Sequence, residues 1–444
     1  MGTIGSSYVG QTQLAILSKS QLVDASVIGC TDYNKYDGWI RGGIPRAFGS
    51  MPDTNWEAIG GTVTVDSMVA TTPAVDEDTD KTMLREAIEQ HVANGLQIPM
   101  FQRLLWRDSY SEEVDGAYWN LVSASTNKET INASGSAIYL MGGLYDVFRR
   151  DTFVIYENLT TPKKMTIGPW YHTKAKVDPN WEIEQLRWFD YWLKGIDNGI
   201  MDEDPIYLKT ANRAENNGYR WQTEWPVDAG SRTAMYLSGT DALSLTTEKT
   251  EYETYVDYDV VYGIATGVES ASSADVDAKG LCFTTEPFAE DFEITGHAMA
   301  HINFEMLSDE TDIDFFVTVS DYDLETGESF LFDDGHLRAS LRGTEEAPYD
   351  FLGLPWHPAD EAGAAPITTG EVYELEIDLM PTSYIVPAGH CLRVTISNSM
   401  DRFYYLGRSA FEADPTCETP SIRLYTGGEN ASYMELPDLY ASAS

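Results

Sequence analysis

The stretch "TIGSSYVGQTQLAIL", residues 3–17, decides how the first part of the chain folds. Within it, Gly5, Ser7 and Gly10 resemble the G-x-S-x-G pattern, which places a serine on a tight turn between a strand and a helix. The residues after the turn predict the helix, and "LVDASVIGC" (22–30) then predicts a short buried strand. We therefore expect a strand, a turn and a helix, with Ser7 on the turn.

Two later segments predict further strands of a parallel sheet. "SAIYLMGGLYDVF" (136–148) is apolar and runs into Gly142 and Gly143, and "KKMTIGPWYH" (163–172) also ends in a glycine-containing turn. "FRRDTFVIYENL" (148–159) supplies a connecting helix, and this β-α-β spacing is typical of parallel strands.

Helices are predicted on either side of these strands. "PNWEIEQLRWFDYWLKG" (179–195) predicts a helix with Leu186, Phe189 and Leu193 on its apolar face. Residues 38–127 differ in character, because Gly/Pro-rich turns precede a helix predicted over 81–95. We interpret residues 38–127 as a helical insertion that caps the sheet.

The period of the apolar residues changes to two beyond residue 205. In "EVYELEIDLM" (371–380) the apolar residues alternate with acidic ones, and similar alternation recurs at 302–306 and 392–396. Several half-buried strands of this kind favour an all-β sandwich. The predicted parts are a partial α/β core (1–37 and 128–205), a helical cap (38–127) and an all-β jelly-roll domain (206–444).

The charge balance excludes several classes of partner. The 444 residues include 71 acidic and 29 basic ones, so the net charge is −42 at pH 7. Such a surface repels nucleic acid and anionic membranes, and we expect neither as a partner. No apolar run has the length of a membrane span. Acidity spread over the whole chain favours a salt-adapted, halophilic protein, because salt screens the self-repulsion.

The cysteines do not predict a metal site or a cofactor. Cys30, Cys282, Cys391 and Cys417 are scattered, form no C-x-x-C motif and have no histidine pair nearby. We expect buried free thiols, although Cys282, Cys391 and Cys417 could pair in an exported protein. We expect neither zinc nor any other metal, and no cofactor.

Three residues at predicted strand ends could carry chemistry together. Only His172, among seven histidines, leaves a predicted parallel strand at its carboxyl end, where α/β sites are built. Asp146 follows the neighbouring strand, and the order Ser7, Asp146, His172 is the serine, acid, histidine order of an α/β-hydrolase. His301, by contrast, is predicted on the polar face of a sandwich strand.

Each assignment has a structural alternative. Ser7 could be an ordinary turn serine, and Asp146 a turn aspartate beside two glycines. Asp151 is a second candidate acid, which we interpret as a helix N-cap. In the catalytic interpretation His172 takes the proton of Ser7 and Asp146 orients the imidazole. The backbone N–H of Tyr8 then supplies one oxyanion donor.

A family resemblance rests on four motifs, "GSSYVGQTQ" (5–13), "GGLYDVF" (142–148), "IGPWYH" (167–172) and "EQLRWFDYWLKGIDNGI" (184–200). The chain resembles the bacterial cocaine-esterase-type hydrolases, relatives of X-Pro dipeptidyl-peptidases, α-amino-acid ester hydrolases and glutaryl-cephalosporin acylases. "DDGHLRASLR" (333–342) resembles their C-terminal jelly-roll domain. The resemblance implies an α/β-hydrolase fold with a helical cap, and a triad of Ser7, Asp146 and His172.

The chain departs from this family before Ser7. In the family, several strands and a loop precede the elbow, and a tyrosine of that loop completes the oxyanion hole. Only six residues precede Ser7, so we expect a hydrolase domain truncated at its N-terminus, with its second oxyanion donor missing upstream. We expect the chain by itself to be weakly active or inactive.

Several functional alternatives stay open. The first hypothesis is a serine hydrolase that cleaves carboxylic esters, or less readily amides, through an acyl-enzyme. An X-Pro dipeptidyl-peptidase or an acylase is the near alternative, with a short peptide or another small molecule as substrate. A non-catalytic jelly-roll binding module with a vestigial hydrolase half is the alternative from another class. The sequence decides neither the oligomeric state nor the compartment.

Overall fold

The structure is a computed structural model of the 444-residue chain. It describes residues 1–44, 64–93, 103–172, 181–226, 232–260, 273–398 and 420–437. Cys417 lies outside the described residues, and so does the predicted end of the helix at 94–95. In the part of the chain described, no helix is both long enough and apolar enough to cross a bilayer.

The helices of the described residues confirm those predicted from the sequence. The sequence predicted four of them, namely the helix after the turn, the connecting helix, the cap helix and the long helix before residue 195. The bounds are Tyr8–Leu17, Lys35–Trp39, Val65–Thr71, Thr82–Ala93, Tyr118–Val122, Lys128–Ala133, Arg149–Asn158, Trp181–Lys194 and Ser273–Asp277.

The strands are numbered here in chain order. They are β1 (Gly2–Ser6), β2 (Ala25–Gly29), β3 (Tyr110–Ser111), β4 (Gly116–Ala117), β5 (Ala137–Gly143), β6 (Lys163–Gly168), β7 (Ile206–Lys209), β8 (Tyr219–Gln222), β9 (Arg232–Ser238), β10 (Ser244–Thr246), β11 (Tyr255–Asp259), β12 (Gly280–Thr284), β13 (Phe292–Met306), β14 (Asp314–Tyr322), β15 (Ser329–Arg338), β16 (Val372–Val386), β17 (Cys391–Ser397), β18 (Ser421–Tyr425) and β19 (Tyr433–Pro437).

The first sheet has the order β1-β2-β5-β6-β7-β8, and its first five strands are parallel. β2 and β5 are buried along their whole length, because helices cover both faces of a parallel sheet. The carboxyl ends of β1, β2, β5 and β6 therefore lie side by side at one edge. This edge carries the candidate site.

The first two strands after the predicted domain limit at residue 206 do not join the second sheet. β7 and β8, at 206–209 and 219–222, pair with the α/β sheet, and β8 is its antiparallel edge strand. Alternating burial along β7 mimics the period of a sandwich strand, although an antiparallel edge on a parallel sheet is common. The second sheet begins at β9. The predicted domain limits stay predictions.

The second part is a β-sandwich with jelly-roll character, built from β9–β19. Its centre is the antiparallel pair of β13 and β16, which runs from Phe292↔Val386 to Glu305↔Val372 with one irregularity. Apolar residues of these strands and of β14 and β17 fill one large core. β13 also pairs with β18 and β19, which bends the sheet round this core.

Buried ion pairs join the two parts next to the candidate site. Arg149 and Arg150 begin the helix after Asp146, and they bind Asp334 and Asp378 of the β-sandwich. All four side chains are at most about one tenth exposed. Removing one partner of such a buried pair typically costs about 3–5 kcal/mol. The β-sandwich therefore fixes the start of the helix that follows Asp146.

Candidate active site

Ser7 occupies a sharp turn between β1 and the helix Tyr8–Leu17. Its backbone angles are φ 58° and ψ −128°, a left-handed conformation that non-glycine residues rarely adopt. The turn is held because the Ser7 N–H donates to the carbonyl of Gly29 (2.9 Å) and the Gln11 N–H donates to the carbonyl of Ser7 (3.0 Å). Strain of this kind is concentrated at functional sites.

Gly5 and Gly10 allow the chain to fold tightly around Ser7. A Cβ on Gly5 would lie 2.5 Å from Cγ1 of Val9, and a Cβ on Gly10 would lie 2.9 Å from the carbonyl oxygen of Gly29. Gly10 comes one position later than in the strict G-x-S-x-G pattern. It nevertheless allows the close packing of the helix against the end of β2 that an elbow requires.

Asp146 and His172 are brought together by two loops that touch. The Leu144 N–H donates to the carbonyl of Gly168 (2.7 Å), and the Tyr145 N–H donates to the carbonyl of Trp170 (3.1 Å). A Cβ on Gly143 would lie only 2.2 Å from the carbonyl oxygen of Trp170. The glycine after β5 is thus required for close approach of the loop after β6.

The three residues predicted from the sequence form one hydrogen-bonded chain. Nδ1 of His172 lies 2.7 Å from Oδ2 of Asp146, and Nε2 lies 2.8 Å from Oγ of Ser7. Asp146 is 3% exposed, and its Oδ1 accepts the backbone N–H of Phe148 at 2.6 Å. The side chain of His172 is 25% exposed, so one end of the chain of hydrogen bonds reaches solvent.

This arrangement fixes the tautomer of the imidazole. Because the Asp146 carboxylate accepts only, Nδ1 of His172 carries a proton and Nε2 faces the hydroxyl of Ser7 with its lone pair. A base in that position can take the serine proton, and the buried carboxylate stabilises the resulting imidazolium. The geometry therefore suits nucleophilic catalysis by serine.

Tyr8 is the first residue of the helix after the turn. Its side chain is exposed, and its backbone N–H belongs to the first turn, where no preceding helical carbonyl is available as an acceptor. N–H groups at a helix N-terminus suit negative charge. This N–H is one residue beyond the nucleophile candidate.

Cys30 also lies at this edge of the sheet, although it was not predicted as a site residue. It follows β2 directly, and its sulfur groups with the carboxylate of Asp146 and a ring nitrogen of His172. The sequence contained a signal for Cys30, because this residue ends the predicted strand 22–30. That strand comes between the predicted strands that precede Ser7 and Asp146.

The interpretation of Asp151 as a helix N-cap is wrong. Phe148 holds the cap position, and Asp151 is the third residue of the helix Arg149–Asn158. Its carboxylate accepts the backbone N–H of Tyr33 at 2.8 Å and ties the helix to the loop after β2. Burial raises the pKa of Asp151 to about 7, although Arg150 opposes the shift.

Replacing Asp151 with asparagine is expected to stabilise the protein more at pH 8 than at pH 5. The carboxyl has a pKa of about 3.9 in an unfolded chain, so the folded state binds its proton more tightly. The cost of burying the carboxylate therefore appears as pH rises above about 4 and is complete above about 7. Asparagine keeps an acceptor for Tyr33 and removes this cost, which is of order 1–4 kcal/mol.

Thermal unfolding at the two pH values measures this difference, with Asp204→Asn as an exposed control. An equal gain in melting temperature at both pH values would show that burial does not destabilise the carboxylate.

Two histidines of the β-rich part, His301 and His357, make packing and backbone contacts within that part. His301, predicted on a solvated face, is 6% exposed and stacks on Tyr433 with ring centroids 4.3 Å apart. The prediction of a solvated His301 is wrong, because β19 pairs with β13 and places Tyr433 directly opposite His301. His357 contacts the carbonyls of Gly343 and Glu376.

Comparisons with known proteins identify the family. Residues 1–174 match the X-Pro dipeptidyl-peptidase (S15 family), and residues 198–435 match the X-Pro dipeptidyl-peptidase C-terminal non-catalytic domain. The chain therefore belongs to the S15 hydrolase family, whose two models match most of its length. This confirms the family predicted from the four sequence motifs, and it makes the chain a member of a serine hydrolase family.

Relatives by sequence carry esterase and peptidase names. A protein of Mycobacterium bovis with the provisional name serine esterase is 28% identical over 414 residues, which cover 82% of this chain and 62% of the relative. The cocaine esterase of a Rhodococcus species is 23% identical, over 70% of this chain and 57% of the esterase. The chain therefore spans about three fifths of the length of these relatives.

Solved structures confirm the fold class. A CocE/NonD family hydrolase from Staphylococcus aureus has a TM-score of 0.71 at 17% identity, over 98% of this chain and 72% of that one. An aminopeptidase from a marine-sediment archaeon of the Thaumarchaeota has a TM-score of 0.67 at 17% identity, over 98% and 76%. At this identity the likeness concerns the fold alone: an α/β-hydrolase core followed by a β-rich domain.

Proposed function

We propose that this chain hydrolyses carboxylic esters through an acyl-enzyme, with Ser7 as nucleophile, His172 as base and Asp146 as the orienting acid. The observation that carries the proposal is the pair of hydrogen bonds that His172 makes, 2.8 Å to Ser7 and 2.7 Å to Asp146. The strained backbone of Ser7 supports it, because it presents Oγ at the head of a helix.

Each step follows from a contact in the site. Nε2 of His172 takes the hydroxyl proton as Oγ of Ser7 attacks the ester carbonyl, and the backbone N–H of Tyr8 donates to the oxyanion. The tetrahedral intermediate collapses when His172 returns the proton to the leaving alcohol. Water then attacks the acyl-enzyme by the same route, which releases the acid and restores Ser7.

Esters are favoured over X-Pro peptides by the extent of the sequence likeness. The relative with the serine esterase name aligns with 82% of this chain at 28% identity, whereas a Streptomyces avermitilis protein with a provisional X-Pro dipeptidyl-peptidase name aligns with 65% at 25% identity. The second candidate is an X-Pro dipeptidyl-peptidase, which the two family matches favour. A p-nitrophenyl ester and an X-Pro p-nitroanilide, assayed side by side, distinguish the two.

Labelling with a fluorophosphonate tests the nucleophile directly. We expect intact-mass measurement in high salt to show one label on the wild type and none on Ser7→Ala. Ser6→Ala is the matched control, because it removes the adjacent hydroxyl and leaves the His172 contact in place; it should label. A label that persists in Ser7→Ala, or a folded wild type that takes none, would overturn the proposal.

The same experiment measures how active the chain is by itself. Weak activity stays a prediction, and a labelling rate far below that of a typical serine hydrolase would support it. A folded chain that takes no label would instead favour the non-catalytic binding module.

A further inference from the structure

The carboxyl edge of the sheet carries a fourth chemically reactive side chain beside the proposed triad. β2 lies between β1 and β5, and Cys30 follows it directly. The Cys30 N–H donates to the carbonyl of Met141 at 2.9 Å, and its backbone has φ 45°. Cys30 is 1% exposed, and its sulfur lies near the carboxylate of Asp146 and a ring nitrogen of His172.

The side chains of Cys30, Asp146 and His172 converge. A ligand atom from each, namely the sulfur, a carboxylate oxygen and a ring nitrogen, lies within 4.8 Å of the other two. Thiolate, imidazole and carboxylate are the three donor types that zinc takes in proteins. Zinc–ligand bonds of about 2.0–2.3 Å separate tetrahedral ligands by roughly 3.2–3.8 Å, so small side-chain movements close this cluster around one ion.

We propose that Cys30, Asp146 and His172 form an inhibitory site for a thiophilic divalent cation such as Zn²⁺. The cation binds the thiolate of Cys30 after the thiol proton passes to solvent, together with the carboxylate and one imidazole nitrogen. Water completes the coordination, and no oxidation or reduction takes place. The inhibitory consequence rests on the proposed function, whereas the binding itself does not.

Binding of the ion to either ring nitrogen of His172 inhibits the reaction. A cation on Nδ1 replaces the hydrogen bond to Asp146, and a cation on Nε2 replaces the hydrogen bond to Ser7. Either change prevents His172 from accepting the serine proton. The exposed quarter of the His172 side chain gives the ion a route in from solvent.

The donor set also predicts selectivity. Zn²⁺ and Cd²⁺ accept sulfur and nitrogen ligands, whereas Mg²⁺ requires an octahedron of oxygens. Mg²⁺ should therefore leave the site unaffected at concentrations where Zn²⁺ binds. Excess Mg²⁺ also occupies unspecific sites on a surface of net charge −42, so it serves as the background electrolyte.

The test uses two readouts on the full chain, both in excess Mg²⁺. Ultraviolet absorption of the cadmium–thiolate bond measures binding, and the rate of fluorophosphonate labelling, with and without Zn²⁺, measures inhibition. Cys30→Ser and Cys30→Ala remove the soft ligand, and Cys391→Ser is the matched control because it removes a buried thiol of the β-sandwich. His172→Gln removes the nitrogen ligand without touching the buried thiol.

We expect wild type and Cys391→Ser to show the cadmium absorption and to be inhibited by Zn²⁺. Cys30→Ser and Cys30→Ala should lose the absorption and require at least about tenfold more Zn²⁺, since even supporting contacts of metal ligands are worth that much. Should these variants not fold, at least about tenfold weaker cadmium binding by His172→Gln decides the question.

Two results would overturn the metal site: no cadmium absorption in the wild type, or the same absorption in Cys30→Ser. A wild type that binds cadmium but takes no label at Ser7 would instead refute the proposed function alone.

Discussion

Replacing Asp146 with asparagine is expected to lower the rate of fluorophosphonate labelling by about 10⁴-fold, a loss of the size found for this change in a serine protease. The amide oxygen can still accept the N–H of Phe148, so the turn keeps its geometry. The amide NH₂, however, donates to Nδ1 of His172 and forces the ring proton onto Nε2. The imidazole then presents a proton to Ser7 where it needs a lone pair.

Asp151→Asn provides the matched control for Asp146→Asn. It makes the same chemical change five residues further along the chain, at a buried carboxylate that contacts the backbone of Tyr33. It should keep the wild-type labelling rate. A loss below about tenfold in folded Asp146→Asn would show that His172 is oriented by some other group.

The position of the candidate site residues in the fold could be predicted from the sequence. Ser7, Asp146 and His172 each follow the carboxyl end of a predicted parallel strand, and such ends lie at one edge of a sheet. The structure brings these side chains into hydrogen-bond contact. Cys30 follows the same rule, but its residue type gave no signal, because a cysteine at a strand end is most often an ordinary buried side chain.

Burial on helices and strands was harder to predict from the sequence. Leu186, Phe189 and Leu193 give the helix Trp181–Lys194 an apolar face, yet the helix buries Trp188 fully and leaves Leu186 56% exposed. The wider indole packs against Tyr139 of β5, with ring centroids 5.3 Å apart. Periodicity alone does not show which side of a helix with apolar residues on several sides meets the sheet.

Long-range pairing is the other feature that local patterns do not contain. His301 alternates with apolar neighbours as a solvated residue would, but it stacks on Tyr433 of β19, more than 130 residues later in the chain. β7 likewise has sandwich-like alternation and pairs with the α/β sheet. In both cases the partner strand decides burial, and the partner cannot be identified from the period of a single segment.

The second large effect is expected from Gly143→Ala. The added Cβ would lie 2.2 Å from the carbonyl oxygen of Trp170, and backbone at that position cannot turn aside as a flexible side chain would. The loops that carry Asp146 and His172 must therefore separate. A displacement of about 1 Å at a reacting group can cost about 10²-fold in rate, and overpacking of this kind costs about 1–3 kcal/mol in stability.

Labelling rates and thermal melts of Gly143→Ala and Gly343→Ala measure the two losses. Gly343 is an exposed glycine with no atom within 4 Å of the added Cβ, so the same substitution there should change neither quantity.

A double variant tests whether Gly143 acts through the Asp146–His172 contact. Separation of the loops disturbs this contact, and Asp146→Asn already makes it unproductive. Combining Gly143→Ala with Asp146→Asn should therefore lower the labelling rate by much less than the product of the two single effects. Fully multiplicative losses would show that Gly143 supports the fold without positioning the acid against the histidine.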